Sequence, residues 1–299
     1  MIFSGILYVM NIFDIHTHGI AGYDTRTNNA DDILKIAEVH GSYGVSKIIL
    51  TIYPYTIKTM RENMEAVKKA MEEQSEAGIK NKSAEIIGMH VEGPFLNPLK
   101  SGALPGSSFR KPDEYNLKKL IEGYDDVIKI ITLAPEIEGA LRLIKKISDM
   151  GIIVSMGHSD ASYAEAEAGF HAGARGITHL FNAMRGYHHR EPGISGFGLM
   201  NRDIYIEVIA DPFHLHPKTI DLILKMKNHD RIIIVSDTVR ETNPGNREKE
   251  KTVTDSEGKL LGGCMTVFES ADRLIRMGYN ENTVMKFITR NAENYLFAK

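Results

Sequence analysis

Cysteine is nearly absent: Cys264 is the single one in 299 residues. One thiol excludes a disulfide framework and any zinc knuckle built on cysteine. A bound metal would have to rest on histidine and carboxylate. Charge of one sign is also lacking, since 36 Lys and Arg stand against 39 Asp and Glu, for a net charge of −3. Without a basic surplus the chain has little with which to neutralise a phosphate backbone, which argues against nucleic acid as a main partner. Long apolar runs are missing as well. The longest, MIFSGILYVMNIF at the N-terminus, has no Lys or Arg ahead of it and no small-residue cleavage pattern behind it. It is too short to span a bilayer and does not read as a secretory signal. A cytoplasmic protein with no membrane partner is expected. Linkers, low-complexity tracts and internal repeats are absent too, so one domain over residues 1–299 is the economical expectation.

Hydrophobic residues make up 42% of the chain and charged residues 25%, enough apolar side chains to exclude disorder and to fill a large core. Short β-branched runs alternate with longer helical patterns along the whole length. The strand-like runs are 12–18, 45–53, 85–91, 127–134, 152–158, 176–180, 204–210 and 232–237. Helical patterns lie at 31–42, 59–77, 112–122, 137–150, 162–172, 217–227, 267–277 and 281–297. Near-continuous apolar runs such as RIIIVSD suit parallel strands buried on both faces. Successive strand ends fall 21 to 42 residues apart, and a βα unit needs roughly 30. Eight such units predict an α/β fold of the (β/α)8 TIM-barrel type, with a doubly wound open sheet as the structural alternative.

In such a barrel the chemistry sits where strands end at the C-terminal face. Those ends carry His16 and His18, Glu92, His158, His179 and Asp237. His16 and His18 stand two apart on a strand and so face the same way. Taken singly, each residue has an ordinary explanation: a hydrogen-bonded core histidine, a loop carboxylate or a helix cap. Taken together, six polar or ionisable groups around one axis would cost several kcal/mol apiece to bury unpaired. A divalent cation that accepts them as ligands removes much of that cost. Zinc, iron, manganese and cobalt all suit such donors, as one ion or two.

The motifs HVEGPFLNP at His90–Pro98, GHSDA around His158, THLFNAM and HREPG within Thr178–Gly193, and LLGGCMT at Leu260–Thr266 occur in this order. Together they resemble the amidohydrolase superfamily and, within it, the N-acetylglucosamine-6-phosphate deacetylases, over nearly the whole chain. The resemblance implies Glu92, His158 and His179 as the principal metal ligands and His16 and His18 as a second metal position used by some members. It implies Asp237 as the catalytic carboxylate. Asn182, Ala183, Arg190 and His214 are implied as substrate-phosphate contacts, with the arginine reaching across a homodimer interface.

Four departures from the family pattern stand out. The chain opens at the first barrel strand and ends at YLFAK, so the family's small β-sandwich is expected to be missing. Leu104 stands where the family often has a substrate-contacting histidine. Pro212 replaces a glycine ahead of His214, fixing φ and removing an N–H. SDTVRETNPG after Asp237 lacks the family's small-residue run.

The implied reaction is metal-dependent hydrolysis of the acetamide of an N-acetyl amino-sugar 6-phosphate. Water is a poor nucleophile at neutral pH, and a cation lowers its pKa towards 7. Asp237 would take the water proton and return it to the amine, which must leave neutral. Two other readings remain open on the residues: an amidohydrolase acting on another N-acyl amine or cyclic amide, and a catalytically degenerate barrel that binds a phosphosugar.

Overall fold

A computed structural model describes residues 11–79, 82–245 and 252–297. The apolar N-terminal stretch weighed above lies, up to residue 10, outside them. Eight strands form one parallel sheet in chain order: β1 (Phe13–Thr17), β2 (Lys47–Ile52), β3 (Glu85–Glu92), β4 (Ile128–Leu133), β5 (Ile153–Met156), β6 (Gly176–Ile177), β7 (Tyr205–Ile209) and β8 (Ile232–Val235). Just past β8 the sheet closes on β1. The N–H of Asp237 donates to the carbonyl of His16 and that of His18 to the carbonyl of Thr238, each at 2.8 Å. The result is a (β/α)8 barrel.

Helices α1 (Ala30–Ser42), α2 (Ile57–Ala77), α3 (Glu114–Ile121), α4 (Ala140–Asp149), α5 (Tyr163–His171), α6 (Gly193–Met200), α7 (Pro217–Met226) and α8 (Val267–Arg276) follow successive strands. Two more, α9 (Glu281–Phe287) and α10 (Arg290–Phe297), complete the described chain. Their starts are written in the sequence. Ser162 with Glu165 and Thr266 with Glu269 form capping boxes at α5 and α8, each satisfying two otherwise orphaned N–H groups. Among the described residues no helix is long and apolar enough to cross a membrane.

Strand alternation sorts the core into two layers. Ile232 and Ile234 of β8 join the cluster shared with the helices, whereas Ile233 and Val235 pack with Phe13, Ile15, Ile49 and Ile130. In β1 the pairing with β2 shifts register between Asp14 and Thr17. Asp14 and Thr17 both reach His40 of α1, Asp14 Oδ2 at 3.6 Å from its Nδ1 and Thr17 Oγ1 at 3.2 Å from its Nε2. His16 and His18 turn the other way, towards Glu92.

Three features differ from the sequence expectation. The helix α6 carries Gly193, Gly196 and Gly198 and has low intrinsic propensity. It forms because its backbone lies against the barrel, where a Cβ on Gly198 would meet Ile177 Cδ1 at 2.8 Å. The single helical pattern at 281–297 is two helices. The carbonyl of Ile288 accepts the N–H of Phe13 at 2.8 Å and so leaves the helical ladder. Finally, His158, His179 and Asp237 stand two residues beyond the ends of their strands rather than on them.

Candidate metal centre and active-site cavity

His158, His179 and Asp237 have φ of 47°, 33° and 48°. Left-handed backbone costs a residue with a Cβ about 1–2 kcal/mol, and such strain clusters at functional sites. Here it turns three side chains inward immediately after β5, β6 and β8.

The inward groups meet around Glu92. Its Oε1 lies 3.1 Å from Nε2 of His158 and 3.1 Å from Nε2 of His179, and those two nitrogens are 3.1 Å apart. Its Oε2 lies 3.1 Å from Nε2 of His18. Asp237 Oδ1 lies 3.5 Å from Nε2 of His16 and 3.6 Å from Nε2 of His18. Two donor groups result, Glu92–His158–His179 and His16–His18–Asp237. Both fit a divalent cation. Donors in a tetrahedral site at about 2.0–2.2 Å from the metal lie roughly 3.3–3.6 Å from one another, close to the spacing found here. The chemistry agrees. Nδ1 of His158 lies 2.9 Å from the carbonyl of Lys100, which only accepts, so Nδ1 carries the proton and Nε2 offers a lone pair. Nε2 of His16 is buried without a hydrogen-bond partner.

The electrostatics of Glu92 and His16 fit the same picture, while that of Asp237 opposes it by favouring the neutral carboxyl. Burial alone would raise the Glu92 carboxyl, but His158 and His16 beside it hold it well below the usual range. Burial pushes Asp237 well above its usual value, and the charges of Glu92 and Glu207 add to the shift. Burial drives the His16 imidazole well below its usual value against the opposing pull of Glu92, which favours the neutral form a cation needs.

A cavity of about 270 Å³ opens over these groups. His18, Glu92, His158, His179 and Asp237 line it, together with Asn182, Ala183, His214, Leu104 and Lys259. His16 lies beneath, fully buried. Pro212 does not turn His214 away. Asp211 Oδ1 accepts the N–H of Phe213 and of His214, and its Oδ2 holds His214 Nδ1 at 2.9 Å. Arg190 is placed elsewhere. It is exposed on the loop before α6 and is not among the residues lining the cavity of its own chain.

Four supporting residues were not singled out from sequence. Glu207 places Oε2 3.0 Å from Nδ1 of His16; a lone carboxylate in the apolar run YIEVI was the available signal. Asp211 orients His214. Tyr53 stacks on His18 with ring centroids 3.8 Å apart. Lys259 reaches the cavity from the turn between Thr254 and Leu260; Asp255 and Gly258 mark that turn in the sequence, but nothing local says that it faces the cavity.

Fold and site together define a barrel built to hold divalent metal at the C-terminal mouth of its strands. No family model matches the chain, but sequence comparison is informative. It is 31% identical over 275 residues to the N-acetylglucosamine-6-phosphate deacetylase of Vibrio furnissii, covering 89% of this chain and 67% of that one. Identity to the Bacillus subtilis enzyme of the same name is 33% over 272 residues, covering 87% and 67%. The Escherichia coli N-acetylgalactosamine-6-phosphate deacetylase is 32% identical over 252 residues, covering 84% and 64%. Among solved structures, the Thermotoga maritima N-acetylglucosamine-6-phosphate deacetylase superposes with a TM-score of 0.82 at 27% identity, covering 96% of this chain and 78% of that one. The chain belongs to the N-acetylglucosamine-6-phosphate deacetylase family. It spans about two thirds of the length of the curated relatives it matches.

Proposed function

We propose that the protein hydrolyses the acetamide of N-acetylglucosamine 6-phosphate, with water, to acetate and glucosamine 6-phosphate. The observation that carries this reading is the convergence of Glu92, His158, His179 and Asp237 on one cavity in a chain of this family. Glu92, His158 and His179 would hold one divalent ion, drawn from zinc, iron, manganese or cobalt. His16, His18 and Asp237 have the donors for a second. Bound there, the cation supplies Lewis acidity, polarising the oxygen it faces and making water acidic near neutral pH.

Every other role falls to the chain. Asp237, a member of the second donor group, also lines the cavity. In its ionised form, which a cation held by these groups would favour against burial, it takes a proton from the attacking water and delivers it to the amine nitrogen as the C–N bond breaks. His214, with Nδ1 tied to Asp211, keeps Nε2 for the substrate. Asn182 and Ala183 form the wall after β6 on which the phosphate end rests. Acetate release by the purified full chain with added divalent metal tests the reaction; a D237N variant as active as wild type would sink it.

The named relatives include a galactosamine-phosphate enzyme, so the C4 epimer is the second substrate reading. Rates with the two epimers decide between them. A barrel reduced to phosphosugar binding is disfavoured by the retention of both donor groups with Asp237. We further read the protein as cytoplasmic, and as a homodimer because Arg190 does not line the cavity of its own chain and a second copy would supply it. If R190A leaves KM for the phosphorylated substrate unchanged, that reading fails.

A further inference from the structure

Glu136 follows β4 in the run Leu133-Ala134-Pro135-Glu136, and the reaction outlined above gives it no task. Its two carboxylate oxygens nevertheless take three donors from two other loops. Oε1 accepts from Nδ2 of Asn97 at 2.8 Å and from the N–H of Asp160 at 2.7 Å. Oε2 accepts from the hydroxyl of Ser159 at 2.7 Å. Asn97 lies on the loop after β3, the strand that ends in Glu92. Ser159 and Asp160 directly follow His158.

His158 is held from two sides by groups that Glu136 anchors. Its left-handed backbone, at φ 47°, is followed at once by the two residues pinned to the carboxylate. Its carbonyl also accepts the N–H of Asn97 at 3.0 Å. The ring is fixed through Lys100, whose carbonyl accepts from Nδ1. Lys100 closes the single 3-10 turn Pro98–Lys100, and Asn97 caps that turn by accepting the N–H of Leu99 on Oδ1 at 2.9 Å. The same Asn97 side chain donates to Glu136 through its other end. One route therefore runs from Glu136 through Asn97 and Lys100 to the imidazole. The other runs through Ser159 and Asp160 to the backbone.

Other contacts hold part of this segment. Arg185 donates to both carboxylate oxygens of Asp160, at 2.8 and 3.3 Å, and its backbone N–H to the carbonyl of Ser159 at 2.9 Å, but it does not reach the Asn97–Lys100 turn that fixes the imidazole. Lys100 Nζ reaches Asp160 Oδ1 at 3.2 Å, but both side chains are 28% exposed. Partly exposed pairs of that kind contribute about 0–1 kcal/mol, too little to hold a left-handed residue in place unaided.

We propose that Glu136 is a positioning residue that fixes the backbone and the Nδ1–H tautomer of His158 and thereby sets the cation affinity of the Glu92–His158–His179 group. The affinity half rests on the metal reading given above. The tautomer half is a property of the metal-free protein. Partners that orient a ligating histidine are worth about 10–100-fold in metal affinity.

The test uses the full chain as wild type, E136A and E136Q. Imidazole 15N spectra of metal-stripped protein report the tautomer, the His158 signals being assigned by their loss in H158N. Chelator competition gives the affinity for Zn²⁺, and metal-free melting temperatures identify the variants that fold. Wild type is expected to show His158 protonated at Nδ1. E136A is expected to show mixed tautomers and a Zn²⁺ affinity weaker by about 100-fold, the upper end of that range. Glutamine keeps one acceptor for Asn97 and Asp160 but opposes Ser159 with an N–H unless that hydroxyl turns. E136Q is therefore expected near the lower end, about tenfold. It decides the matter alone if E136A does not fold. A folded variant that keeps Nδ1 protonated and binds Zn²⁺ as wild type overturns the proposal. Wild type that takes up no Zn²⁺ overturns the metal reading and with it the affinity half, while the tautomer comparison still decides the positioning role.

Discussion

Oε2 of Glu207 on β7 lies 3.0 Å from Nδ1 of His16 on β1, and both side chains are buried. An acceptor on Nδ1 fixes the imidazole so that Nε2 faces the Glu92 carboxylate and Asp237. Outer partners of this kind orient a metal-binding ring and raise its basicity. Replacing Glu207 by leucine removes the acceptor while keeping an apolar fit. E207L is expected to weaken ion binding at the His16–His18–Asp237 group by about 10–100-fold, and E207Q, which keeps an acceptor oxygen, by less. Metal content after dialysis against a graded chelator series checks this; equal retention by wild type and E207L would exclude the role.

Asp237 offers the sharpest test of the chemistry. Its carboxylate lines the cavity and completes the second donor group with His16 and His18. A proton relay of this kind contributes about 10²–10⁴-fold. D237N is expected to lower kcat in that range with a small change in KM, read from initial rates of acetate release at matched metal content.

Lys259 is the one Lys or Arg among the described residues lining the cavity. It is exposed at the rim, where a phosphate end would sit. One charge-assisted contact is worth about 1.5–3 kcal/mol, and 1.4 kcal/mol corresponds to tenfold. K259M is expected to raise KM for the 6-phosphate about tenfold or more while leaving kcat and the KM of the unphosphorylated sugar near wild type. Equal KM changes for the two sugars would show that Lys259 does not read the phosphate.

Away from the site, Lys227 Nζ donates to the carbonyls of Gly198 at 2.9 Å and Asn201 at 2.5 Å, closing the end of α6. Burial lowers its pKa from 10.5 to about 7. Between those values the unfolded chain binds the proton and the folded one does not, so stability rises with pH across that window. Below pH 7 the cost of the buried ammonium is fully present. The melting temperature of wild type minus that of K227M is expected to increase from pH 7 to pH 10. A flat or falling difference would refute the assignment.

Much of the barrel was legible because its strands are apolar on both faces and its helices carry their own caps. The runs around Ile232 and Lys47 could hardly be anything else, and Ser162 with Glu165 marks the start of α5 in the sequence alone. The glycine-rich α6 was not legible, since what stabilises it is the surface beneath it rather than its own propensity. The division of the last helical pattern depends on Phe13, which lies some 275 residues away in the chain.

The sequence by itself determined which donors are present, that cysteine is not among them, and the order in which strands deliver His16, His18, Glu92, His158, His179 and Asp237 to one end of the barrel. Periodicity and motif suffice for that, because they are local. The tertiary structure decided the rest. It set Glu92 between two donor groups, left Arg190 outside the cavity of its own chain, and backed His16 with Glu207 and His158 with Glu136. The contacts behind His16 and His158 join strands and loops tens to hundreds of residues apart at distances near 3 Å, and only closure of the barrel brings such atoms together.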